Sequence, residues 1–199
     1  MRLIVGMSGA SGAIYGIRLL EVLHEHPQAE VHLILTPSAR QTIAIETDYA
    51  LADVERLADV TYKYGDLAAA PSSGSFPVDA MLIVPCSVRT AASIAWALDE
   101  NLLVRAADVT LKERRRLVVA LRELPLHLGH LRTLVQLAEI GAVVAPLAPS
   151  FYGRPQSIDD LVGHTVGRLL DLVGLEPPAG LVRRWQGPGG YLTPDVDNG

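Results

Sequence analysis

The 199-residue sequence predicts an α/β fold, a three-layer α/β/α sandwich around a mostly parallel, Rossmann-like sheet of about six strands. Short apolar runs rich in Val, Ile and Leu recur along the chain, and stretches with the helical spacing of apolar residues separate them. The runs are apolar throughout, which is typical of parallel strands that are buried on both faces. A glycine-rich stretch follows the first run at once, which indicates a tight turn from a strand into a helix.

Composition predicts a single domain over residues 1–199, with an extended Pro- and Gly-rich tail from about residue 176 that we expect to wrap a neighbour or to fray. The sequence shows no apolar run of about 18 residues and no signal-peptide pattern, so we expect no membrane span and a cytoplasmic location. A net charge of −5 gives little attraction for nucleic acid. Cys86 is the only cysteine, and the histidines lack metal-binding spacing, so we expect no disulfide and no metal.

The first β-α unit carries the clearest functional pattern. Leu3–Val5 predicts a strand, Gly6–Gly12 a loop, and residues 13–23 a helix. The first amides of a helix lack partners and glycines let an anion approach them, so Gly9, Gly12 and the serine hydroxyls form a candidate phosphate cradle. Neither G-x-G-x-x-G nor G-x-x-x-x-G-K-[ST] occurs, which favours a mononucleotide over NAD or ATP. A tight turn without a ligand is the alternative.

The second predicted β-α unit adds the Thr36 hydroxyl to the same edge of the sheet. Residues 30–36 predict a strand, and residues 38–48 and 51–60 predict helices. Neighbouring parallel strands place Thr36 beside the first loop. From its position alone, Glu46 is interpreted as a solvated carboxylate at a helix end.

A second candidate ligand loop, residues 85–90, follows a strand predicted at 81–84 and a small, polar loop at 68–77. Its hydroxyls and the free amides of the following helix suit an anion, whereas Cys86 within it is interpreted as a packing residue. Helices are predicted at 89–99 and 102–113. The second helix presents two cations on one face, two turns apart: Arg105 and Lys112.

The strand predicted at 117–121 ends in Arg122 and Glu123, at the edge where parallel sheets bind ligands. Residues 131–140 predict an amphipathic helix, and residues 142–147 predict the last strand. The apolar stripe on one side of that helix consists of Leu131, Leu134, Val135 and Ala138.

The final helix is predicted to begin after Ser157, which forms a capping box with Asp160. Arg168 flanks the apolar stripe of this helix, so its guanidinium can reach a polar edge. The preceding loop contains Tyr152. The stripe, which we expect to be buried against the sheet, consists of Ile158, Leu161, Val162, Val166, Leu169, Leu170 and Val173.

The unusual polar residues follow the predicted carboxyl ends of strands or lie in the loops beyond them, so we expect them to line one crevice. That crevice has more cations than one mononucleotide phosphate needs, which indicates a second ligand that carries a phosphate. The groups available to it are Lys112, Arg122, Tyr152 and Arg168.

Several strings in the chain are long and chemically unusual: GMSGASGAIYGIRLLEVL, PCSVRTAAS, RAADVTLKERRRLVV, RELPLHLGHLRTL and FYGRPQSIDDLV. Through them nearly the whole chain resembles the UbiX-type flavin prenyltransferases, in the UbiX/Pad family of flavoproteins. The resemblance implies a metal-independent enzyme that joins the dimethylallyl group of dimethylallyl monophosphate to N5 and C6 of reduced FMN. It also implies a homododecamer with shared active sites, and a product, prenylated FMN, that a UbiD-type decarboxylase uses, for example in ubiquinone biosynthesis.

The resemblance further implies roles for individual residues. Ser11 and Glu46 would handle protons around N5, and Glu123 would exchange a proton with the phosphate. The FMN-binding set is Gly9, Ala10, Ser11, Thr36, Ser87, Val88, Arg89, Thr90, Arg105 and Arg122. The set for the prenyl donor is Lys112, Arg122, Glu123, Tyr152 and Arg168.

Two departures and three alternatives accompany this resemblance. Thr36 stands where many relatives carry serine, and Leu121 replaces the more common proline before Arg122 and Glu123. A flavin-dependent cysteine decarboxylase is disfavoured because the P-x-M-N-x-x-M-W motif is missing, and a decarboxylase of aromatic acids is the related alternative. A non-catalytic flavin-binding carrier would leave the donor-binding residues without a role.

Overall fold

The computed structural model of the chain describes residues 1–187 and contains a six-stranded sheet in which every pairing is parallel. The strands are β1 (Arg2–Met7), β2 (Glu30–Leu35), β3 (Val60–Tyr62), β4 (Ala80–Cys86), β5 (Arg116–Leu121) and β6 (Val143–Val144). The helices are α1 (Ala13–His24), α2 (Pro37–Glu46), α3 (Leu51–Arg56), α4 (Val88–Ala95), α5 (Leu102–Lys112), α6 (Leu128–Glu139) and α7 (Ile158–Val173), with a short 3₁₀ helix at Ala70–Ser72. The predicted α/β class is confirmed.

Helices cover both faces of the sheet, which gives the predicted three layers. Successive residues of β1 point to opposite faces, so Leu3 and Val5 pack in one apolar cluster and Ile4 packs in the other. The first cluster includes α1, α2 and α7, and the second includes α4 and α5. Strands buried on both sides explain why their sequences are apolar throughout.

The order of the strands creates a crevice at one edge of the sheet. The sheet runs β3-β2-β1-β4-β5-β6, so the chain winds one way from β1 to β3 and the other way from β4 to β6. At the boundary between β1 and β4 the loops after the two strands turn toward opposite faces. The carboxyl ends of these two strands therefore leave space for a ligand between their loops.

Two strands differ from the sequence prediction. Strand β3 lies in a stretch that was predicted to be irregular after a helix reaching residue 60, whereas α3 ends at Arg56. Strand β6 has only two residues instead of the six predicted at 142–147. The amides of Ala145 and Leu147 still donate to carbonyls of β5, so the contact with β5 continues beyond the two residues of β6. Pro146 takes the alternate position between them, where an amide would face away from β5, as is usual for proline on an edge strand.

The interpretation of α6 as a helix with one core-facing stripe is incomplete. Leu137 is fully buried, but Leu131 and Val135 of the predicted stripe are 46% and 56% exposed. The helix packs on α4 and β6 at the edge of the sheet, where only a narrow seam is covered. The stripe of α7 is largely buried as predicted, except that Ile158 in its first turn is 78% exposed.

The segment from residue 176 to residue 187 packs on its own chain instead of fraying. A Cβ added to Gly167 would lie 2.2 Å from a side-chain carbon of Val182, so α7 has a glycine where the segment crosses it. Arg184 forms two hydrogen bonds to the carboxylate of Asp171, at 3.0 and 3.1 Å. The rest of the predicted tail, residues 188–199, lies outside the described residues. Within residues 1–187, no helix is both long and apolar enough to cross a bilayer.

Candidate functional site

A cavity of about 550 Å³ lies at the carboxyl ends of β1 and β4. Its volume falls in the range of small-molecule sites, roughly 300–1,000 Å³. Several residues that the sequence selected line it: Gly9, Thr36, Ser87, Val88, Arg89, Thr90 and Glu123. The two candidate ligand loops therefore meet at one place, as their positions after β1 and β4 predict.

Two helix N-termini with hydroxyl caps point toward this cavity. The Thr36 hydroxyl accepts a hydrogen bond from the amide of Ala39 at 3.0 Å and begins α2. The Ser87 hydroxyl accepts from the amide of Thr90 at 3.3 Å and begins α4. The positive ends of the two helix dipoles thus face the same space, which favours an anionic group there.

Ser8 joins the two loops, a role that the sequence analysis did not assign when it grouped the serine hydroxyls of this loop with the phosphate cradle. Its hydroxyl accepts from the amide of Ser87 at 2.8 Å and donates to the carbonyl of Pro85 at 3.2 Å. The residue is only 2% exposed, so both bonds are shielded from water. A polar residue directly after a buried strand is the sequence signal that could have found it.

Asn101 also lines the cavity and was missed. Its side-chain oxygen accepts from the amide of Val104 at 3.0 Å, so it caps α5. An Asn immediately before a predicted helix is the expected pattern for such a cap. The cavity wall therefore contains a third capped helix N-terminus.

Glu46 ends α2 and is exposed, as its position suggested, but its carboxylate is bound within the chain and is not only solvated. Its carboxylate accepts from the amides of Gly12 and Ala13 at 2.8 and 3.0 Å, and the Ser11 side chain bonds to it as well. The first amides of α1 are therefore occupied by a carboxylate, which corrects the predicted phosphate cradle at Gly12. An anionic ligand must use the loop before Gly12 and the starts of α2 and α4.

The electrostatic surroundings keep Glu46 ionised. Partial burial raises its pKa, but hydrogen bonds from Ser11, Ala13 and Gly12 and the positive charge of Arg122 outweigh that effect, so the net pKa is lower than usual. Ser11, Glu46 and Arg122 thus form one polar group beside the cavity. The amide of Arg122 donates to the carbonyl of Cys86 at 3.0 Å, which ties the end of β5 to the Ser87 loop.

Cys86 packs in the core as predicted. It is fully buried, and burial raises the pKa of its thiol to about 12. A thiol that stays protonated at neutral pH is a poor nucleophile. The chemistry of the loop therefore depends on Ser87 and Thr90 and on the amides beside them.

Two predicted cations, Arg105 and Lys112, do not line the cavity of their own chain. One terminal nitrogen of Arg105 is 3.0 Å from Asp99 and 2.9 Å from Asp108, beside the 3₁₀ helix. Lys112 ends α5, pairs with Glu113, and lies close to Gly74. Because β5 follows α5 and spans about 20 Å, Lys112 is at the amino edge of the sheet, opposite Glu123. Within one chain these two residues are not part of the crevice, so the predicted single crevice includes them only if a neighbouring copy supplies them.

Tyr152 and Arg168 form a third location on the outer side of α7. The Tyr152 hydroxyl is 3.0 Å from Nε2 of His164, and the Tyr152 ring contacts Trp185. Arg168 pairs with Asp171 one turn later on the helix. Within the single chain, none of these four residues lines the cavity: Arg105, Lys112, Tyr152 and Arg168.

Comparison with known proteins places the chain among flavoproteins. A family model described as Flavoprotein matches residues 1–170. The chain is 55% identical over 186 residues to a flavin prenyltransferase UbiX from Escherichia coli strain K12, which covers 94% of this chain and 98% of that protein.

Two solved structures have nearly the same fold. One is a dodecameric FMN-dependent UbiX-like decarboxylase from Escherichia coli O157:H7, with a TM-score of 0.91 and 47% identity, covering 94% of this chain and all (100%) of that one. The other is AnUbiX in complex with FMN and dimethylallyl pyrophosphate, with a TM-score of 0.90 and 45% identity, covering 94% of this chain and 97% of that one. Over most of its length, the chain is thus similar to proteins that are named as flavin enzymes or that bind FMN.

The Glu46 cap predicts a pH-dependent contribution to stability. Because the pKa of Glu46 is lowered in the folded chain, its contribution is complete above the reference value of 4.5 and is lost as pH falls through the folded pKa. We expect Glu46→Gln to lower the free energy of unfolding at pH 7 by about 0.5 kcal/mol. Thermal unfolding of both proteins between pH 7 and pH 3 measures the difference, which should shrink toward acid.

The matched control is Glu25→Gln, at the opposite end of α1, where the carboxylate is exposed and caps no amide of that helix. Its effect should be small and should not share the pH dependence of Glu46→Gln. A constant difference between wild type and Glu46→Gln over the whole pH range would contradict the capping role.

Proposed function

The chain belongs to the UbiX family of flavin prenyltransferases, and from that membership we propose that it joins the dimethylallyl group of dimethylallyl monophosphate to N5 and C6 of reduced FMN. The observation that carries the proposal is the cavity between the loops after β1 and β4, with capped helix N-termini in its wall and Ser11, Glu46 and Arg122 beside it. The helix N-termini suit the phosphate of a flavin nucleotide, and the polar group of Ser11, Glu46 and Arg122 suits proton transfer.

The residues present fit FMN. The starts of α2 and α4 offer unpaired amides and hydroxyls to a phosphate, and the loop Gly9–Ser11 runs between them and Glu46. Gly9 passes so close to α2 that an added Cβ would lie 2.3 Å from Cβ of Ser38, so only glycine fits there. A tight contact of this kind keeps the loop and the helix terminus in fixed relative positions around a ligand.

The reaction breaks the bond between the allylic carbon and the phosphate oxygen and forms a bond from that carbon to N5, which loses its proton, with inorganic phosphate as the leaving group. The bond to C6 forms at the far end of the former allylic double bond, whose other carbon gains a proton while C6 loses its own. Reduced FMN supplies the nucleophilic atoms. Lys112, Tyr152 and Arg168 would stabilise the charge that builds on the departing phosphate. Ser11, held by Glu46, would accept or donate the proton at N5, and Glu123 would transfer a proton to the phosphate.

The distribution of cations supports an active site shared between copies of the chain. Neither Lys112 nor Arg105 lines the cavity of its own chain, and a similar protein is dodecameric. We propose that neighbouring protomers supply these cations, so that assembly completes each site. A cytoplasmic location and use of the product by a UbiD-type decarboxylase stay predictions from the sequence.

The central test is product formation. Incubating the purified protein anaerobically with reduced FMN and dimethylallyl monophosphate should convert the flavin into a species heavier by one five-carbon unit, detected by mass spectrometry. Flavin of unchanged mass would overturn the proposal. Carbon dioxide released from an aromatic acid by the protein alone would instead favour a decarboxylase, the activity named for the Escherichia coli O157:H7 structure.

Glu46 provides a sharper test of the chemistry. Glu46→Gln keeps an oxygen that can accept from the α1 amides but removes the charge that holds Ser11, so we expect product formation to slow by about 10²-fold. Bound FMN, measured by its absorbance after gel filtration, should be retained. Glu25→Gln is the matched control and should behave as wild type. Full activity of Glu46→Gln would remove the assigned role.

Shared sites predict complementation between two inactive variants. Lys112→Ala and Glu46→Gln should each be slow alone, because the first removes a cation from every site and the second removes a carboxylate from every site. Co-expressed in equal amounts with different tags and purified through both, they should recover roughly a quarter of wild-type activity, since random mixing leaves that share of sites intact. Activity no higher than that of the separate variants would show that Lys112 acts within its own chain or not at all.

A further inference from the structure

We infer that His164 is a positioning residue for Tyr152 and, through it, for the phosphate of the prenyl donor; this inference rests on the proposed function. His164 lies on α7, and each ring nitrogen contacts a hydroxyl. Nδ1 is 3.1 Å from Oγ of Ser150, and Nε2 is 3.0 Å from the hydroxyl of Tyr152. Both hydroxyls belong to the irregular segment between β6 and α7, so the imidazole fixes that segment to the helix.

The ring of Tyr152 is held between two other rings. It meets His164 edge to face with centroids 5.4 Å apart, and it meets Trp185 in the same manner at 5.8 Å. Such pairs favour one orientation of the ring. Tyr152 is nevertheless 40% exposed, so a ligand can reach it. The next residue toward the N-terminus, Phe151, is 68% exposed, which shows that the loop itself gives little support.

The imidazole also determines which way the Tyr152 hydroxyl points. A neutral histidine has one donor and one acceptor nitrogen, and hydroxyls can take either role. When Ser150 donates to Nδ1, Nε2 carries the proton and donates to the phenol oxygen of Tyr152. The phenol proton of Tyr152 is then the one that would bond to an anionic phosphate oxygen when the prenyl donor binds. Ser150, His164 and Tyr152 thus form one hydrogen-bonded chain that ends at the Tyr152 hydroxyl.

Arg168 stands one turn beyond His164 on the same face of α7. Its guanidinium pairs with Asp171, which also binds Arg184 of the segment that carries Trp185. The two side chains assigned to the phosphate are therefore each held by a partner on one helix. A fixed donor pair binds a phosphate with less loss of side-chain entropy than two free side chains do.

The experiment compares His164→Phe with His164→Gln in the anaerobic prenylation assay. Phenylalanine keeps a ring beside Tyr152 but has no nitrogen, so we expect the KM for dimethylallyl monophosphate to rise about 5- to 20-fold. Glutamine carries an amide N–H near the position of Nε2 and should restore most of the affinity. The KM for reduced FMN and the thermal midpoint should stay near the wild-type values in both variants.

A double-variant cycle separates positioning from general support of the fold. In a Tyr152→Phe background, His164→Phe should cause no further rise in the donor KM, because the group through which it acts is gone. Additive effects, or an unchanged donor KM in His164→Phe, would overturn the inference while wild type still made prenylated flavin. Absence of product from wild type would instead refute the proposed function, and the inference would fall with it.

Discussion

The pairing of β1 with β4 is the constraint on which the rest of the site depends. Their parallel register brings Gly6 opposite Ile83, so the loops that follow the two strands emerge side by side. The buried hydroxyl of Ser8 then links these loops through the carbonyl of Pro85 and the amide of Ser87. A buried hydroxyl that lost either partner would leave an unsatisfied polar group, so the two loops are held as one unit.

Much of this arrangement could be predicted from the sequence because it follows from local patterns. Apolar runs identified most strands, and their ends identified Thr36 and Ser87 as hydroxyls at the carboxyl edge of the sheet; the structure adds that both residues cap helices. The carboxyl-edge rule then placed both loops at one crevice. Glu46 was misjudged because its partners, the amides of Gly12 and Ala13, are 34 and 33 residues away in sequence. No local sequence pattern indicates a contact between residues so far apart.

The predictions for Lys112 on α5 and for the apolar stripe of α6 differ from the structure for another reason. An apolar stripe shows that a face is covered, but it does not show whether the same chain or another copy covers it. Leu131 and Val135 remain exposed in the single chain, and Lys112 faces away from the cavity that its predicted role requires. Both observations fit a protein in which other copies of the chain cover the apolar face of α6 and receive Lys112 in their sites. Spacing along one sequence cannot supply the position of a neighbour.

The state of Glu46 determines what it can contribute to proton transfer. A general base works best when its pKa lies near the working pH, yet two amides, Ser11 and Arg122 hold the pKa of this carboxyl low. Such a carboxylate accepts hydrogen bonds strongly but keeps a proton poorly. Glu46 therefore fits a role in orienting the Ser11 hydroxyl and stabilising positive charge beside it. In the proposed reaction, Ser11 would then be the group that contacts the flavin nitrogen, and Glu46 would act mainly through it.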